Sequence, residues 1–449
     1  MKRMLSMALA LVMMLSVLSG CGSSSKPAAE STPAAASGEV SSAPSGEITV
    51  WMWENAKVSL DSLADSFAKQ YPDVTVKYET MPNDDLYSKY VLAAQTGEGL
   101  PDVVIIESER LPMMIKTCSL LNVADYMGED ANKFNAGKIQ MATGKDGGIY
   151  AVPWDSAPSA MMYNRKIFKN AGLSDDPAEV AKMLATWDSY KETMAQINEK
   201  TGCYAYATQS TNIRSSHFVG MMAQKAATED EFVFTKDGNV GFDSEFGVRV
   251  AQFMADMYHE GLVYDAARYT QQHDQAYRDD KVATIFGAAW LMPILKEAYG
   301  ADREGNWGVV PMPVWDEGDA PTCEDGGSNL AITANCKNVD AAWAYVSFHM
   351  MNTESQLEMY RNGLFPAWEP AYGDPSVSAE DPFFGGQNAV AVFEELAGKV
   401  PAVNYTEDFY RASEAIKVAQ ELTYNDSSKT VAEFMKVSAD EVRAKTHRK

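Results

Sequence analysis

Between Ile48 and Ile106 the chain alternates strand-forming and helix-forming segments, and this alternation constrains its fold more than any other feature. Ile48-Thr49-Val50-Trp51-Met52-Trp53 is β-branched and aromatic, as a buried strand requires. Leu60, Leu63, Ala64, Phe67 and Tyr71 then recur at helical spacing, with Ser59 placed to cap the start and Pro72 to stop the end. Val74 to Tyr78 reads as a second strand, Asp84 to Thr96 as a helix closed by Gly97, and Asp102 to Ile106 as a third strand. Such a rhythm predicts a parallel sheet covered by helices. Ligands of such sheets sit at the carboxyl ends of the strands. That rule singles out Trp53-Glu54-Asn55 after the first strand and Glu107-Ser108-Glu109-Arg110 after the third.

Upstream, a basic start (Lys2, Arg3) and the apolar run Met4 to Val17 lead into Leu18-Ser19-Gly20-Cys21. The run falls short of the roughly 20 residues of a spanning helix. Small residues before one cysteine make a lipoprotein processing site, so residues 1–20 are expected to be a signal peptide and Cys21 the acylated mature N-terminus. Ser, Ala, Pro and Gly dominate to about Gly46, which predicts a flexible tether over 21–46. No later segment is apolar for long enough to cross a bilayer. About 400 residues remain, too many for one ordinary core, and two domains are expected. The implied location is extracytoplasmic, with the body held to the cell membrane by lipid.

A formal net charge of −24 argues against nucleic acid as a partner. Cys118, Cys203, Cys323 and Cys336 form no Cys-x-x-Cys or Cys/His cluster, so no metal site is expected; Cys323 and Cys336 are readable either as a bridge or as ordinary thiols. Nucleophile elbows, zinc-protease motifs, phosphate loops and dinucleotide fingerprints are absent. Ser66-Phe67-Ala68-Lys69 matches Ser-x-x-Lys but lies inside an amphipathic helix pattern. No catalytic residue and no cofactor are expected.

Further along, helical stripes start at Trp187 behind Thr186, at Glu245, behind Asn338, at Phe409 and at Val431. Four tryptophans stand in loop-like surroundings: Trp154 before Asp155, Trp290 after Phe286-Gly287-Ala288-Ala289, Trp315 among Pro and Asp, and Trp368 after Phe365-Pro366-Ala367. Aromatic rings beside Asp, Asn and Gly suit a sugar, whose C–H faces lie on rings while its hydroxyls need directional partners.

Five segments in order strengthen this reading. They are Tyr150 to Asp155, Met162 to Leu173, Thr186 to Tyr190, Ile285 to Trp290, and Gly326 to Ile332 leading to Asp340-Ala341-Ala342-Trp343. Together they resemble the extracellular solute-binding proteins of ABC importers, in the carbohydrate-binding family that includes the maltose-binding type. The resemblance implies an α/β, two-lobed periplasmic-binding-protein type II fold, with a ligand cleft between lobes joined by crossing strands. Crossings are expected near Ser156 to Ala160, Gly327 to Ile332 and Pro366 to Pro375. Lobe one would be 47–157 plus 328–368, and lobe two 158–327 plus 369–449.

By the same resemblance Asp155 is a hydroxyl acceptor and Trp290 an aromatic platform. Glu109-Arg110 matches the family's acid–Arg pair, and Tyr410, with Phe409 beside it, the aromatic near the start of the penultimate helix. Trp53-Glu54-Asn55 departs from the maltose type's Asn-Gly-Asp run, which favours a different sugar. The expected ligand contacts are therefore Trp53, Glu54, Glu107, Glu109, Arg110, Trp154, Asp155, Trp290, Gly327, Ser328 and Tyr410. The expected partners are a carbohydrate and the ABC permease subunits, with the protein itself a monomer. A same-fold receptor for a polyamine or oligopeptide is the alternative, since Glu54, Glu107 and Asp155 would suit an amine; a secreted glycan-active enzyme stands behind it.

Overall fold

The computed structural model describes residues 43–449 apart from Cys118, Asn212, Ala227, Tyr269 and residues 300–303. The signal segment, Cys21 and nearly all of the tether lie outside the described residues. In chain order the strands are β1 Gly46–Met52, β2 Val74–Thr80, β3 Val103–Glu107, β4 Val152–Pro153, β5 Ser159–Asn164, β6 Tyr206–Thr208, β7 Val263–Asp265, β8 Thr284–Ala288, β9 Trp307–Val310 and β10 Ser328–Ile332.

β1, β2 and β3 form the parallel part of a five-stranded sheet in the order β2-β1-β3-β10-β4. Val103 to Ile106 is apolar on both faces because helices cover both, as expected for a parallel strand. The sheet is nonetheless mixed: β10 returns from far along the chain and runs antiparallel to β3, with Ser328 opposite Glu107 and Ile332 opposite Val103. β4 pairs with β10, also antiparallel. The helix Asn83–Thr96 buries Leu86, Tyr87, Tyr90 and Ala93 and ends at Gly97, whose φ of 72° is the left-handed cap that glycine supplies without strain. Val339–Met350 contributes Tyr345 and Val346 to the same core.

One expected helix is two. After β1 the chain turns at Trp53 directly into Glu54–Asp61, breaks, and resumes as Ala64–Gln70. Ser59 therefore lies inside the first of these helices rather than at the start of one. The break has a local cause: the Leu63 N–H donates to the Leu60 carbonyl, a three-residue step that tightens the turn and shifts the helix register.

The second lobe is built on β8-β5-β9, antiparallel throughout, with a parallel β6–β7 pair beside it. Trp187–Thr201 starts at a capping box, Thr186 and Ser189 satisfying each other's backbone donors, and stops at Gly202 with φ 73°. Glu245–His259 buries Phe246, Val250, Phe253, Met254 and Met257 on one face. Each such side chain contributes about 1.5–3 kcal/mol of hydrophobic stabilisation. Phe409–Asn425 and Val431–Thr446 pack against it and close this core.

Trp315 and Trp368 do stand outside the helices and named strands, as expected, but they are core residues at 4% exposure each rather than exposed rings. Their indole N–H groups donate to the Met221 carbonyl at 3.1 Å and the Thr353 hydroxyl at 3.0 Å, so the polar end is satisfied and the ring is free to bury. Cys203, Cys323 and Cys336 are free thiols, with Cys323 in the second lobe's core and Cys336 packed against the first's.

Three stretches of chain pass between the lobes side by side. The Trp154 N–H donates to the Ser328 carbonyl at 2.9 Å, Asp155 bridges to Pro366, and Pro158 bridges to Glu324. The ends of β3, β4 and β10 therefore open onto one place.

Candidate interlobe binding site

Beyond β3 the backbone makes a single 3-10 turn, Ser108–Arg110, that aims successive side chains in different directions. Glu107 turns back into its own lobe, where its carboxylate accepts from the Asn83 amide at 2.8 Å and the Tyr87 hydroxyl at 3.3 Å. Ser108 is buried, donating its N–H to the Gly327 carbonyl at 3.0 Å and accepting from Lys138 Nζ at 2.6 Å. Glu109 lies within electrostatic reach of the second lobe. Burial, with the charges of Glu107 and Asp325 added, pushes its carboxyl up to about 7, against the opposing pull of Arg110 and Arg214.

From the second lobe come Trp290, Asp325, Arg268 and Tyr405. Trp290, just past β8, donates its indole N–H to the Asp325 carbonyl at 3.0 Å and remains partly exposed. The Arg268 guanidinium stands 5.1 Å from its ring centroid. Gly287 packs closely here: a Cβ would come within 3.2 Å of Leu291 Cδ2 and 3.3 Å of Arg268 Nη2, so those side chains would have to give slightly. Burial, with Glu109 and Glu324 nearby, pushes the Tyr405 hydroxyl up. Arg268 also lines a small, partly open pocket of about 10 Å³ together with Tyr206, His217, His273, Tyr277 and Phe286, room for one water. Burial and the nearby arginines drive His217 down to about 3, so the imidazole is neutral there.

A second group sits on the crossings themselves. The Asp155 carboxylate accepts from the Ser328 N–H at 2.7 Å. Burial raises its pKa to about 6, although Lys138 and that hydrogen bond pull the other way. Lys138, from the helix Ala136–Ala142, pairs with Glu324 at 3.0 Å. Glu324 also accepts the Ala157 N–H at 3.0 Å. Gly327 has φ 80°, and a Cβ there would land on the Lys138 ammonium and within 2.8 Å of Glu324 Oε1.

The structure thus brings Glu109 and Trp290 toward one interlobe space, with Arg110 and Tyr410 packed together close by at 3.9 Å. It places Asp155, Gly327 and Ser328 in the crossing network. Trp53 is half-buried against the first lobe's core, Glu54 is exposed at the start of a helix, and Trp154 is 2% exposed within that core. Sequence reasoning missed Lys138, Arg214, Arg268, Glu324, Asp325 and Tyr405. Glu324-Asp325 directly precedes the Gly326-Gly327 pair and was within reach; the others carry no local signal. Among the described residues, no group of three or more His, Cys, Asp or Glu is placed to hold a metal ion. No described helix is long and apolar enough to cross a membrane.

Comparison with known proteins places the chain in a family. The chain is 24% identical over 373 residues to the arabinooligosaccharide-binding protein of Halalkalibacterium halodurans, covering 80% of each. It is 25% identical over 356 residues to the maltotriose-binding protein of Pyrococcus abyssi, covering 77% of this chain and 72% of that one. The GacH receptor of Streptomyces glaucescens, solved unliganded and with acarbose, superposes with a TM-score of 0.73 at 23% identity, over 89% of this chain and 98% of its own, and shares the two-lobed α/β fold. Residues 62–385 match the model of the bacterial extracellular solute-binding proteins, and the chain belongs to that family.

Proposed function

We propose that this protein captures a sugar or oligosaccharide outside the cytoplasm and delivers it to an ABC permease. The observation that carries the reading is the hydrogen bond of Trp290 to the Asp325 carbonyl in the second lobe, with Glu109 of the first lobe near enough to feel the charges of Asp325 and Arg214. Carboxylates and guanidinium groups are the partners that sugar hydroxyls need, and an indole suits a C–H face. Relatives named for arabinooligosaccharide and maltotriose support the ligand class. Three arginines stand among these acids, which disfavours the polyamine reading.

The lobes are proposed as 47–157 with 328–368 and 158–327 with 369–449. The open cleft takes up sugar, and closure about the crossings adds contacts from both sides. Acylation at Cys21 holds a monomer at the cell membrane, beside the permease. The protein has no catalytic step of its own.

Thermal unfolding with arabinotriose, maltotriose, lactose, diacetylchitobiose and spermidine tests the reading. At a hundredfold excess over Kd a true ligand stabilises by about 2.7 kcal/mol. One sugar is expected to raise the melting temperature by a few degrees in the wild type and not in Trp290→Ala. A shift with spermidine alone overturns the sugar reading, and release of reducing sugar with time would mark an enzyme.

A further inference from the structure

Arg110 and Tyr410 come from opposite lobes. Arg110 ends the turn after β3, whereas Tyr410 lies in the first turn of Phe409–Asn425, which packs in the second lobe's core. The Arg110 guanidinium carbon stands 3.9 Å from the Tyr410 ring centroid and 4.7 Å from that of Tyr87 in its own lobe. Its Nη2 is 3.8 Å from Asp84, and its buried Nε has no hydrogen-bond partner. The cross-lobe partner of this cation is therefore an aromatic face. Tyr410 is 45% exposed, which puts the contact at the rim of the interlobe space.

The same two segments meet a second time: Lys116 Nζ lies 3.1 Å from Glu407. Arg448 fastens that part of the second lobe, pairing with Glu407 at 3.1 Å and Asp408 at 2.7 Å and donating to the Gly238 carbonyl. Tyr410 thus sits on an anchored stretch and Arg110 on a turn fixed by Ser108. Separating the lobes along this rim must break both contacts.

We propose that Arg110 and Tyr410 form a clasp between the lobes that works without ligand, and that they are positioning residues for closure rather than sugar contacts. The role in capture rests on the functional reading above; the clasp itself does not. It stabilises the closed arrangement before sugar arrives and slows its opening afterwards. A largely buried guanidinium (11% exposed) over a tyrosine ring, even one at the rim, is strong enough to shift a two-state equilibrium several-fold.

Small-angle scattering on the ligand-free full chain reads the clasp directly. Tyr410→Ala, and Tyr410→Leu as a second variant that keeps apolar bulk, are expected to enlarge the radius of gyration, while Tyr410→Phe keeps the wild-type value. Whichever panel sugar binds is expected to leave Tyr410→Ala about three- to tenfold faster than the wild type, with Tyr410→Phe again restoring the rate. Unchanged scattering in both Tyr410→Ala and Tyr410→Leu overturns the clasp. Expansion in Tyr410→Phe equal to that in Tyr410→Ala also overturns it, because the hydroxyl rather than the ring would then matter. Absence of binding by every panel sugar would sink the carbohydrate reading, while the scattering comparison would still decide the clasp.

Discussion

Lys138 Nζ lies 3.0 Å from Glu324 Oε1, and their side chains are 1% and 3% exposed. The ammonium also donates to Ser108 Oγ, and the carboxylate accepts from Ala157 in the first crossing. One buried ion pair thus ties a first-lobe helix to two of the three passages between lobes. Burying two charges is costly, and their attraction offsets it only while both are present. Lys138→Met should lose about 3–5 kcal/mol in urea unfolding. Adding Glu324→Gln, which keeps an acceptor for Ala157, should recover more than half of that loss. Additive losses in the double variant would show that the two groups do not act as a pair.

Asp155 gives the network a pH dependence with a defined sign. Its folded pKa of about 6 lies above the ordinary aspartate value of 3.8, so the folded state holds the proton more tightly. Its favourable contribution is complete below about pH 3.8 and is lost as pH rises through about 6. Two units correspond to on the order of 3 kcal/mol. Burial holds His217 and His349 each at about 3, and their neutral rings push the whole-protein curve the other way at low pH. The clean measurement is therefore a difference. Stability of the wild type minus that of Asp155→Asn should fall between pH 4 and 7, and a flat difference would contradict the buried, proton-holding carboxyl.

Gly327→Ala tests the tightest backbone position in the crossings. At φ 80° any side chain is strained, and the new methyl would displace the Lys138 ammonium. A loss of about 2 kcal/mol or more is expected, larger than for Gly326→Ala, where φ is also positive but nothing lies within 4 Å. Equal losses at both positions would mean that backbone strain alone matters and the Lys138 contact does not.

Local signals were legible where a residue acts on its own neighbours. Gly97 and Gly202 announce their helix ends, Thr186 announces a helix start, and the apolar run of β3 announces a covered strand. Signals failed where the deciding partner is distant. Lys138 and Glu324 are 186 residues apart, and nothing beside Lys138 marks it as anything but a surface lysine. Trp315 looks like a loop aromatic until Met221 supplies an acceptor for its indole from 94 residues away. Of the candidate site, the end of β3 was singled out by strand position, and Trp290 by its loop-like surroundings and by the resemblance. Asp325 was marked only by its place before the Gly326-Gly327 pair, because an acid in a chain of net charge −24 carries no information by itself.

The two tryptophans Trp154 and Trp290 should separate packing from recognition. Trp154 is fully inside the first lobe's core, and its indole N–H has no hydrogen-bond partner. Trp154→Phe therefore removes an unsatisfied donor along with some volume, and the net change should stay near 1 kcal/mol, whereas Trp154→Ala leaves a cavity costing about 3–5 kcal/mol. Neither change should alter which sugar raises the melting temperature. Trp290 has the opposite profile: it is partly exposed and makes one hydrogen bond, to the Asp325 carbonyl. Trp290→Ala should cost only about 1 kcal/mol of stability while abolishing the sugar-induced shift. Parallel melting curves of both alanine variants, with and without sugar, separate the two roles. A Trp154→Ala protein that folds yet loses the shift, beside a Trp290→Ala protein that keeps it, would move the recognition surface from the second lobe into the first.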